Sequence, residues 1–293
     1  MDSLKALVAS SLLVVVGACS QGTAENSTTT TTTHSTVPHH TEIKLVAVGD
    51  ISCGTSQRAS GSYPCRDKEV AQVAQSQDAD YALLLGDIQY PTHDIADYYA
   101  NFKPNWSQVD AKFIPVLGNH EYDSNVEEGF YAVWGAQVPR TGYYTVEIGI
   151  GWFVIVLDSN RVTDEQYQWF SNQLTKYNDS CVIVAMHHPR YSSGVHGNNS
   201  EVSGLYDLMV QNDVVAVLTG HDHHYERFDG PVPQYVVGTG GKDLRSISGE
   251  RSSVTAFNDK HGVLSISIVD TTFRSYFVDI TGATYDGYST ECD

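Results

Sequence analysis

From Ile43 onward the sequence repeats one pattern, in which a short run rich in Val, Ile and Leu ends abruptly in Gly or His and polar residues. The five runs are Lys44–Val48, Tyr81–Leu85, Phe113–Leu117, Val182–Met186 and Val214–Thr219. Continuous apolar runs of this length are typical of β-strands that are buried on both faces. The pattern therefore predicts a fold built around buried strands.

Helical patterns lie between these runs. The predicted helices are Asp67–Gln77, Thr163–Tyr177 and Val202–Gln211. Thr163 stands where it can cap the second helix, with Gln166 three residues later in the capping-box position. Strands that alternate with helices predict the α/β class, with helices layered on the sheet.

Polar residues that can bind a ligand follow the C-terminal end of every predicted strand. In chain order these segments are Gly49-Asp50, Gly86-Asp87, Gly118-Asn119-His120-Glu121, His187-His188-Pro189 and Gly220-His221-Asp222-His223-His224. Sites in open α/β sheets are built at this edge, and Gly before a polar residue suits a sharp turn out of a strand. Each segment alone is weak evidence, but five in order predict one shared site.

The order of these segments resembles the signature of the calcineurin-like metallophosphoesterases and, within them, the purple acid phosphatases. The matching segments are Gly49-Asp50, Gly86-Asp87-Ile88-Gln89-Tyr90, Gly118-Asn119-His120-Glu121, Val184-Ala185-Met186-His187 and Gly220-His221-Asp222-His223. The resemblance runs from about Ile43 to the C-terminus. It implies a four-layer α/β/β/α sandwich with a binuclear metal site at the C-terminal ends of the strands.

Two positions point to the subfamily. Most calcineurin-like enzymes begin with Asp-x-His, whose His binds the first metal, but here Ser52 stands in its place. The purple acid phosphatases lack that His and use a Tyr in the second motif, where Tyr90 stands. Their usual Gly-Asp-x-Gly also has Ser52 in place of its second Gly, a departure that concerns the local backbone geometry.

The resemblance also implies a set of ligands and metals. Asp50, Asp87, Tyr90 and His223 are expected to bind the first metal. Asp87, Asn119, His187 and His221 are expected to bind the second, with Asp87 bridging the two. A phenolate and carboxylates are hard anionic donors that favour Fe(III), whereas two imidazoles and an amide oxygen suit divalent Fe, Zn or Mn.

The predicted activity is hydrolysis of phosphate monoesters by a metal-bound hydroxide, with a His as the general acid. His120 is the candidate that matches the family, and His196 is a second candidate in the loop after His187. Asn119 and His188 are predicted to bind substrate phosphate. The alternatives are a phosphodiesterase, nucleotidase or protein phosphatase on the same scaffold, and a surface metal-binding protein without turnover.

The N-terminus indicates export. Leu7–Ala18 is an apolar run too short to span a bilayer, and Val16-Gly17-Ala18-Cys19 resembles the lipobox of bacterial lipoproteins, in which the Cys is lipidated. The predicted organisation is a signal peptide over residues 1–18, a Ser/Thr-rich tether over 19–41 and a catalytic domain over 42–293. The protein is expected to be lipid-anchored through Cys19 on the outer side of the cell membrane, or secreted.

Composition limits the partners. Asp and Glu outnumber Lys and Arg by 35 to 17, for a formal net charge of −18, so binding to a nucleic-acid backbone is not expected. The predicted partner is a small phosphate ester, with membrane contact only through the anchor. Besides Cys19 the chain has Cys53, Cys65, Cys181 and Cys292, which predict two disulfides in one of three connectivities.

Overall fold

The structure is a computed structural model that describes residues 42–54, 64–91, 94–125, 127–248 and 253–292. The predicted signal peptide, tether and Cys19 lie outside these residues. Within them, no helix is both long enough and apolar enough to cross a membrane.

Thirteen strands and several helices make up the described part of the chain. The strands are β1 Ile43–Val48, β2 Tyr81–Leu84, β3 Lys112–Pro115, β4 Tyr144–Gly149, β5 Trp152–Val156, β6 Cys181–Ala185, β7 Ala216–Thr219, β8 Tyr225–Phe228, β9 Gln234–Val237, β10 Thr255–Phe257, β11 Gly262–Val269, β12 Thr272–Asp279 and β13 Thr284–Glu291. The α-helices are α1 Asp67–Ser76, α2 Ile95–Asp97, α3 Lys103–Trp106, α4 Glu127–Trp134, α5 Asp164–Lys176 and α6 Ser203–Gln211. A π-helix, Tyr98–Phe102, joins α2 to α3, and a 3₁₀ helix spans His120–Asn125.

The strands form two sheets, one in the order β13-β12-β11-β1-β2-β3 and the other in the order β10-β8-β9-β7-β6-β5-β4. Parallel pairing joins β1 to β2 and β2 to β3 in the first sheet. In the second sheet it runs from β5 through β6 and β7 to β9. The loops after these parallel strands therefore leave each sheet at one edge.

Alternate residues of each central strand face two different layers. In β1, Leu45 and Ala47 pack into the core between the two sheets, whereas Val46 and Val48 face the core under α1 and the π-helix. On the second sheet, Val182 and Val184 pack under α5 and α6. The predicted four-layer α/β/β/α sandwich is confirmed.

The strands and helices predicted from the sequence are all present, with ends that differ by no more than two residues. The capping box is half formed. Thr163 Oγ1 accepts a hydrogen bond from the Gln166 backbone N–H at 3.2 Å, but the Gln166 side chain turns away. It is fully buried and exchanges hydrogen bonds with the backbone of Asp158, at 2.7 and 2.9 Å, which fixes the loop after β5.

Two disulfides are present, as predicted, and the structure selects one of the three connectivities. Cys53 pairs with Cys65, and Cys181 pairs with Cys292. The first closes a short loop beside the first polar segment. The second ties the residue after β13 to the start of β6, so it staples the C-terminus to an interior strand of the second sheet.

Candidate metal centre

The seven predicted metal ligands come from five loops at the C-terminal edges of both sheets. Asp50 follows β1, Asp87 and Tyr90 follow β2, Asn119 follows β3, His187 follows β6, and His221 and His223 follow β7. Asp50, Asp87 and His221 have positive φ values of 60°, 50° and 72°. Residues other than Gly rarely adopt this backbone conformation, and such strained residues cluster at functional sites.

Glycines let these loops approach one another closely. A Cβ atom on Gly118 would lie 2.2 Å from Asp87 Oδ1, and one on Gly86, where φ is +87°, would lie 2.5 Å from His187 Nδ1. Both distances are shorter than any real contact of a Cβ atom. Gly is therefore required at both positions if the carboxylate and the imidazole are to converge.

Four of the predicted ligands form a first group that is buried. Tyr90 Oη lies 2.9 Å from Asp50 Oδ1, 2.8 Å from Asp87 Oδ2 and 3.3 Å from His223 Nε2. His223 Nε2 lies 3.3 Å from Asp50 Oδ1. None of these four residues is more than 2% exposed. The structure thus places in one cluster the four residues expected to bind the first metal.

The remaining ligands form a second group around Asn119. Asn119 Oδ1 lies 3.1 Å from His187 Nε2 and 3.0 Å from His221 Nδ1. His187 Nε2 also lies 3.4 Å from Asp87 Oδ1, the oxygen that faces away from Tyr90. Asp87 therefore has one oxygen toward each group. Asn119 and His221 are partly exposed, so this second group opens to solvent.

The chemistry of these contacts fits bound cations. His187 Nδ1 lies 2.7 Å from the Leu85 carbonyl and His223 Nδ1 lies 2.7 Å from the Asp243 carbonyl. A carbonyl only accepts, so each Nδ1 carries the proton and each Nε2 has a lone pair directed at carboxylate oxygens. Acceptors that face acceptors require a positive charge between them. Likewise, one phenol proton on Tyr90 cannot satisfy both Asp50 and Asp87.

The pKa shifts of Tyr90 and His187 also indicate that the buried carboxylates favour positive charge in the site. Burial, then Asp50 and Asp87, raise the pKa of Tyr90 well above its ordinary value. Burial alone lowers the pKa of His187, but the Asp87 carboxylate outweighs it and raises that pKa to about 10. Without a metal, the site therefore draws a proton onto the Nε2 lone pair that a cation would use.

Ser52 does not disturb the first loop. The backbone N–H groups of Asp50, Ile51 and Ser52 donate to the carbonyls of Gly86, Asp87 and Ile88 at 3.0–3.1 Å. The Ser52 hydroxyl points away from the cluster and donates to Asp67 at 2.7 Å. Three backbone hydrogen bonds thus join the loops after β1 and β2, although Ser52 stands in place of the Gly.

His120 lies beside the bridging carboxylate. Its backbone N–H donates to Asp87 Oδ1 at 2.9 Å, and its Nε2 lies 3.9 Å from Asp87 Oδ2. Its ring centroid lies 4.6 Å from that of Tyr90, and its side chain is 30% exposed. His120 therefore reaches both the buried cluster and solvent, which is the position a proton donor to substrate requires.

His188 and His196 flank His221 on the exposed side. Each ring centroid lies 4.3 Å from that of His221. Burial, and then His187, lower the pKa of His188 to about 3, so it is a neutral imidazole, and Ser159 Oγ lies 2.9 Å from its Nδ1. His196 Nε2 accepts a hydrogen bond from Arg245 at 2.8 Å, so that nitrogen carries no proton to donate.

Three carboxylates that the sequence analysis did not single out hold the site loops. Glu121 accepts from the backbone N–H groups of Asp87, Ile88 and Gly118 at 2.7–2.9 Å. Asp222 accepts from the Ser192 hydroxyl and from His196 N, and Glu226 accepts from Ser193 N at 2.8 Å. Glu121 and Asp222 lie inside the recognised motifs, and this position is the sequence signal that could have identified them.

Comparison with known proteins shows which family this chain belongs to. The profile of the calcineurin-like phosphoesterase family matches residues 43–225, a span that contains every predicted ligand. Tartrate-resistant acid phosphatase type 5 of Mus musculus is 26% identical over 229 residues, which cover 66% of this chain and 70% of that protein. A probable cyclic nucleotide phosphodiesterase of Rhodococcus erythropolis is 26% identical over 201 residues, 64% of each chain.

Among solved structures, a purple acid phosphatase from seeds of yellow lupin (Lupinus luteus) superposes with a TM-score of 0.71 at 17% identity. The match covers 87% of this chain and 54% of that one, and at this identity it speaks for the fold alone. The family profile, in contrast, matches more than half of this sequence and ends only after the last histidine segment. The chain therefore belongs to the calcineurin-like phosphoesterase family.

Proposed function

We propose that this protein is an exported acid phosphatase that hydrolyses phosphate monoesters. In this proposal the first group, which contains Tyr90, binds Fe(III), and the second group, around Asn119, binds a divalent Fe, Zn or Mn. The observation that carries the proposal is the position of Tyr90, whose hydroxyl lies within 3.3 Å of Asp50, Asp87 and His223, while Ser52 points elsewhere. A phenolate beside two carboxylates is a donor set for a hard trivalent ion.

Each residue of the site has a distinct part in the proposed reaction. The first and second groups would hold two metal ions, which would supply Lewis-acid activation of the phosphate and of the attacking water. Asn119 and His188 line the solvent-facing group, where they can orient phosphate oxygens. His120 donates a proton to the leaving oxygen. His196 accepts from Arg245, so it contributes by position and leaves proton donation to His120.

The charge of the protein is compatible with this substrate. A formal net charge of −18 repels phosphate esters at long range, but metal ions reverse the field locally. The same charge disfavours binding to nucleic-acid backbones. Two disulfides are typical of proteins that mature in an oxidising compartment, which supports export. Lipid attachment at Cys19 belongs to this proposal.

Turnover assays with the purified full-length protein test the proposed activity. After loading with iron and zinc, we expect hydrolysis of 4-nitrophenyl phosphate to exceed that of bis(4-nitrophenyl) phosphate. His187→Ala, purified in the same way, serves as the control for contaminating phosphatases. A preference for the diester would favour the activity named for the Rhodococcus relative, and absence of turnover on either ester would favour a metal-binding protein without catalysis.

A further inference from the structure

Arg245 lies at the rim of the metal centre and has three fixed contacts. Its backbone N–H donates to the His223 carbonyl at 2.9 Å, and its own carbonyl accepts from Asn258 Nδ2 at 2.9 Å. Its guanidinium Nη1 donates to His196 Nε2 at 2.8 Å. The main chain of Arg245 is therefore anchored to a ligand loop, and its side chain reaches across to the loop after β6.

The segment that carries Arg245 is joined to the first ligand loop as well. Gly240 N donates to the Gly49 carbonyl at 3.0 Å, and Lys242 N donates to the Asp50 carbonyl at 3.1 Å. These bonds, with the one to His223, connect residues 240–245 to two of the three loops that hold the first group, those after β1 and β7. The guanidinium thus has a defined position relative to the site.

The partner of Arg245 is also held in place. His196 N donates to Asp222 Oδ1 at 3.2 Å, and its ring lies at 34° to that of His221 with centroids 4.3 Å apart. One exposed imidazole therefore separates the guanidinium from a residue expected to bind the second metal. This spacing puts the guanidinium on the exposed side of the second group, one imidazole ring beyond His221.

The charge of Arg245 is not balanced by an ion pair in the part of the chain that the structure describes. The nearby carboxylate of Asp243 pairs with Lys242, and that of Asp222 is bound by Ser192 and His196. The side-chain partner of Arg245 is the His196 imidazole, which carries no negative charge. The guanidinium therefore keeps N–H donors and a positive charge that an incoming anion can bind.

We propose that Arg245 forms a second anion subsite, which selects phosphate esters whose leaving group carries another anionic group, a carboxylate or a second phosphate. This inference rests on the proposed phosphatase activity. A guanidinium stays charged and has five N–H donors in a planar fork. One of these is used on His196, and the others can bind carboxylate or phosphate oxygens in a bidentate manner.

Three aryl phosphates test the subsite: 3-carboxyphenyl phosphate, 1,3-phenylene bisphosphate and 3-carbamoylphenyl phosphate. The carbamoyl compound matches the carboxylate in shape but lacks its charge. We expect the wild-type kcat/KM to be about fivefold to tenfold higher for each anionic compound than for the carbamoyl compound, because a partly exposed charged hydrogen bond is worth on the order of 1 kcal/mol. This ratio should fall to about one in Arg245→Met and be partly retained in Arg245→Lys.

The ratio is measured within each variant, so a general loss of activity cancels. A wild-type ratio of one for both anionic compounds, or a ratio that Arg245→Met retains, would overturn the subsite. A preference for only one anionic compound identifies which group the subsite takes. The dissociation constants of the matching 3-carboxyphenyl and 3-carbamoylphenyl phosphonates, from calorimetry, give the same ratio without turnover. Absent hydrolysis with a retained binding preference therefore contradicts the proposed activity alone.

Discussion

Replacement of His120 by alanine is expected to lower kcat for phenyl phosphate by about 10²- to 10⁴-fold, the usual contribution of a general acid. Phenolate is a poor leaving group and needs a proton as the P–O bond breaks. 4-Nitrophenolate leaves without one, so the same variant should lose far less activity on 4-nitrophenyl phosphate. The position of His120, with Nε2 3.9 Å from Asp87 Oδ2 and a side chain 30% exposed, is the basis of this expectation.

Steady-state kinetics on the two esters separate proton donation from a structural role. His261→Asn is a suitable control, because His261 is another partly buried histidine, bonded to the Thr239 carbonyl at 3.2 Å and not part of the site. The His261→Asn substitution should change kcat for the two esters by the same factor. If His120→Ala lowers kcat by the same factor for both esters, His120 is not the proton donor.

Glu121→Ala is expected to destabilise the protein by at least about 3 kcal/mol, because three buried backbone N–H groups lose their acceptor and each costs about 1–3 kcal/mol. Two of these N–H groups belong to Asp87 and Ile88, so the loop that presents the bridging carboxylate loosens as well. Removal of such a supporting residue typically weakens metal affinity by about 10- to 100-fold. Urea unfolding and metal retention during dialysis measure the two effects.

Glu226→Ala is the matched control for Glu121→Ala. Glu226 is also fully buried and also accepts a backbone N–H, but that N–H belongs to Ser193, in the part of the loop after β6 that carries His196, and not to a predicted ligand. Glu226 also contacts the ring of His224, which is not a predicted ligand, at 3.0 Å. We expect Glu226→Ala to lose stability while it keeps its metals. Equal metal loss in the two variants would mean that general destabilisation, and not the Asp87 loop, accounts for the result.

The sequence predicted the convergence of the site because the signal is local. An apolar run that ends in Gly-Asp or Gly-Asn-His locates a strand end, and parallel pairing then brings successive strand ends to one edge. Pairs such as Val48 with Leu84 and Leu84 with Pro115 stand level in the first sheet. Because paired strands end side by side, the residues that follow them lie close together.

Contacts between loops could not be predicted in this way. Arg245 and His196 are 49 residues apart in sequence, and nothing around Arg245 marks it as a partner of that loop. Gln166 fits the capping-box pattern, yet a buried amide must satisfy all its hydrogen bonds, and the Asp158 backbone offered more of them. Side-chain partners across loops depend on the folded geometry, which periodicity does not encode.

Several strands also escaped prediction, for reasons of length and pattern. The strands β8, β9 and β10 have only three or four residues, too few for a clear alternation. In β13 the sequence is TYDGYSTE, with no apolar run and no fully buried residue. It is held by pairing with β12 and by Asp286, which accepts from Arg227 at 2.8 Å.

The visible absorption spectrum of the iron-loaded protein and of its Tyr90→Phe variant tests the central claim most directly. If Tyr90 binds Fe(III) as a phenolate, the wild-type protein has a broad charge-transfer band and a purple colour. Tyr90→Phe then loses the band while the fold is retained, as circular dichroism can verify. A wild-type protein that binds two zinc ions tightly, stays colourless with iron, and hydrolyses diesters in preference to monoesters would contradict the account.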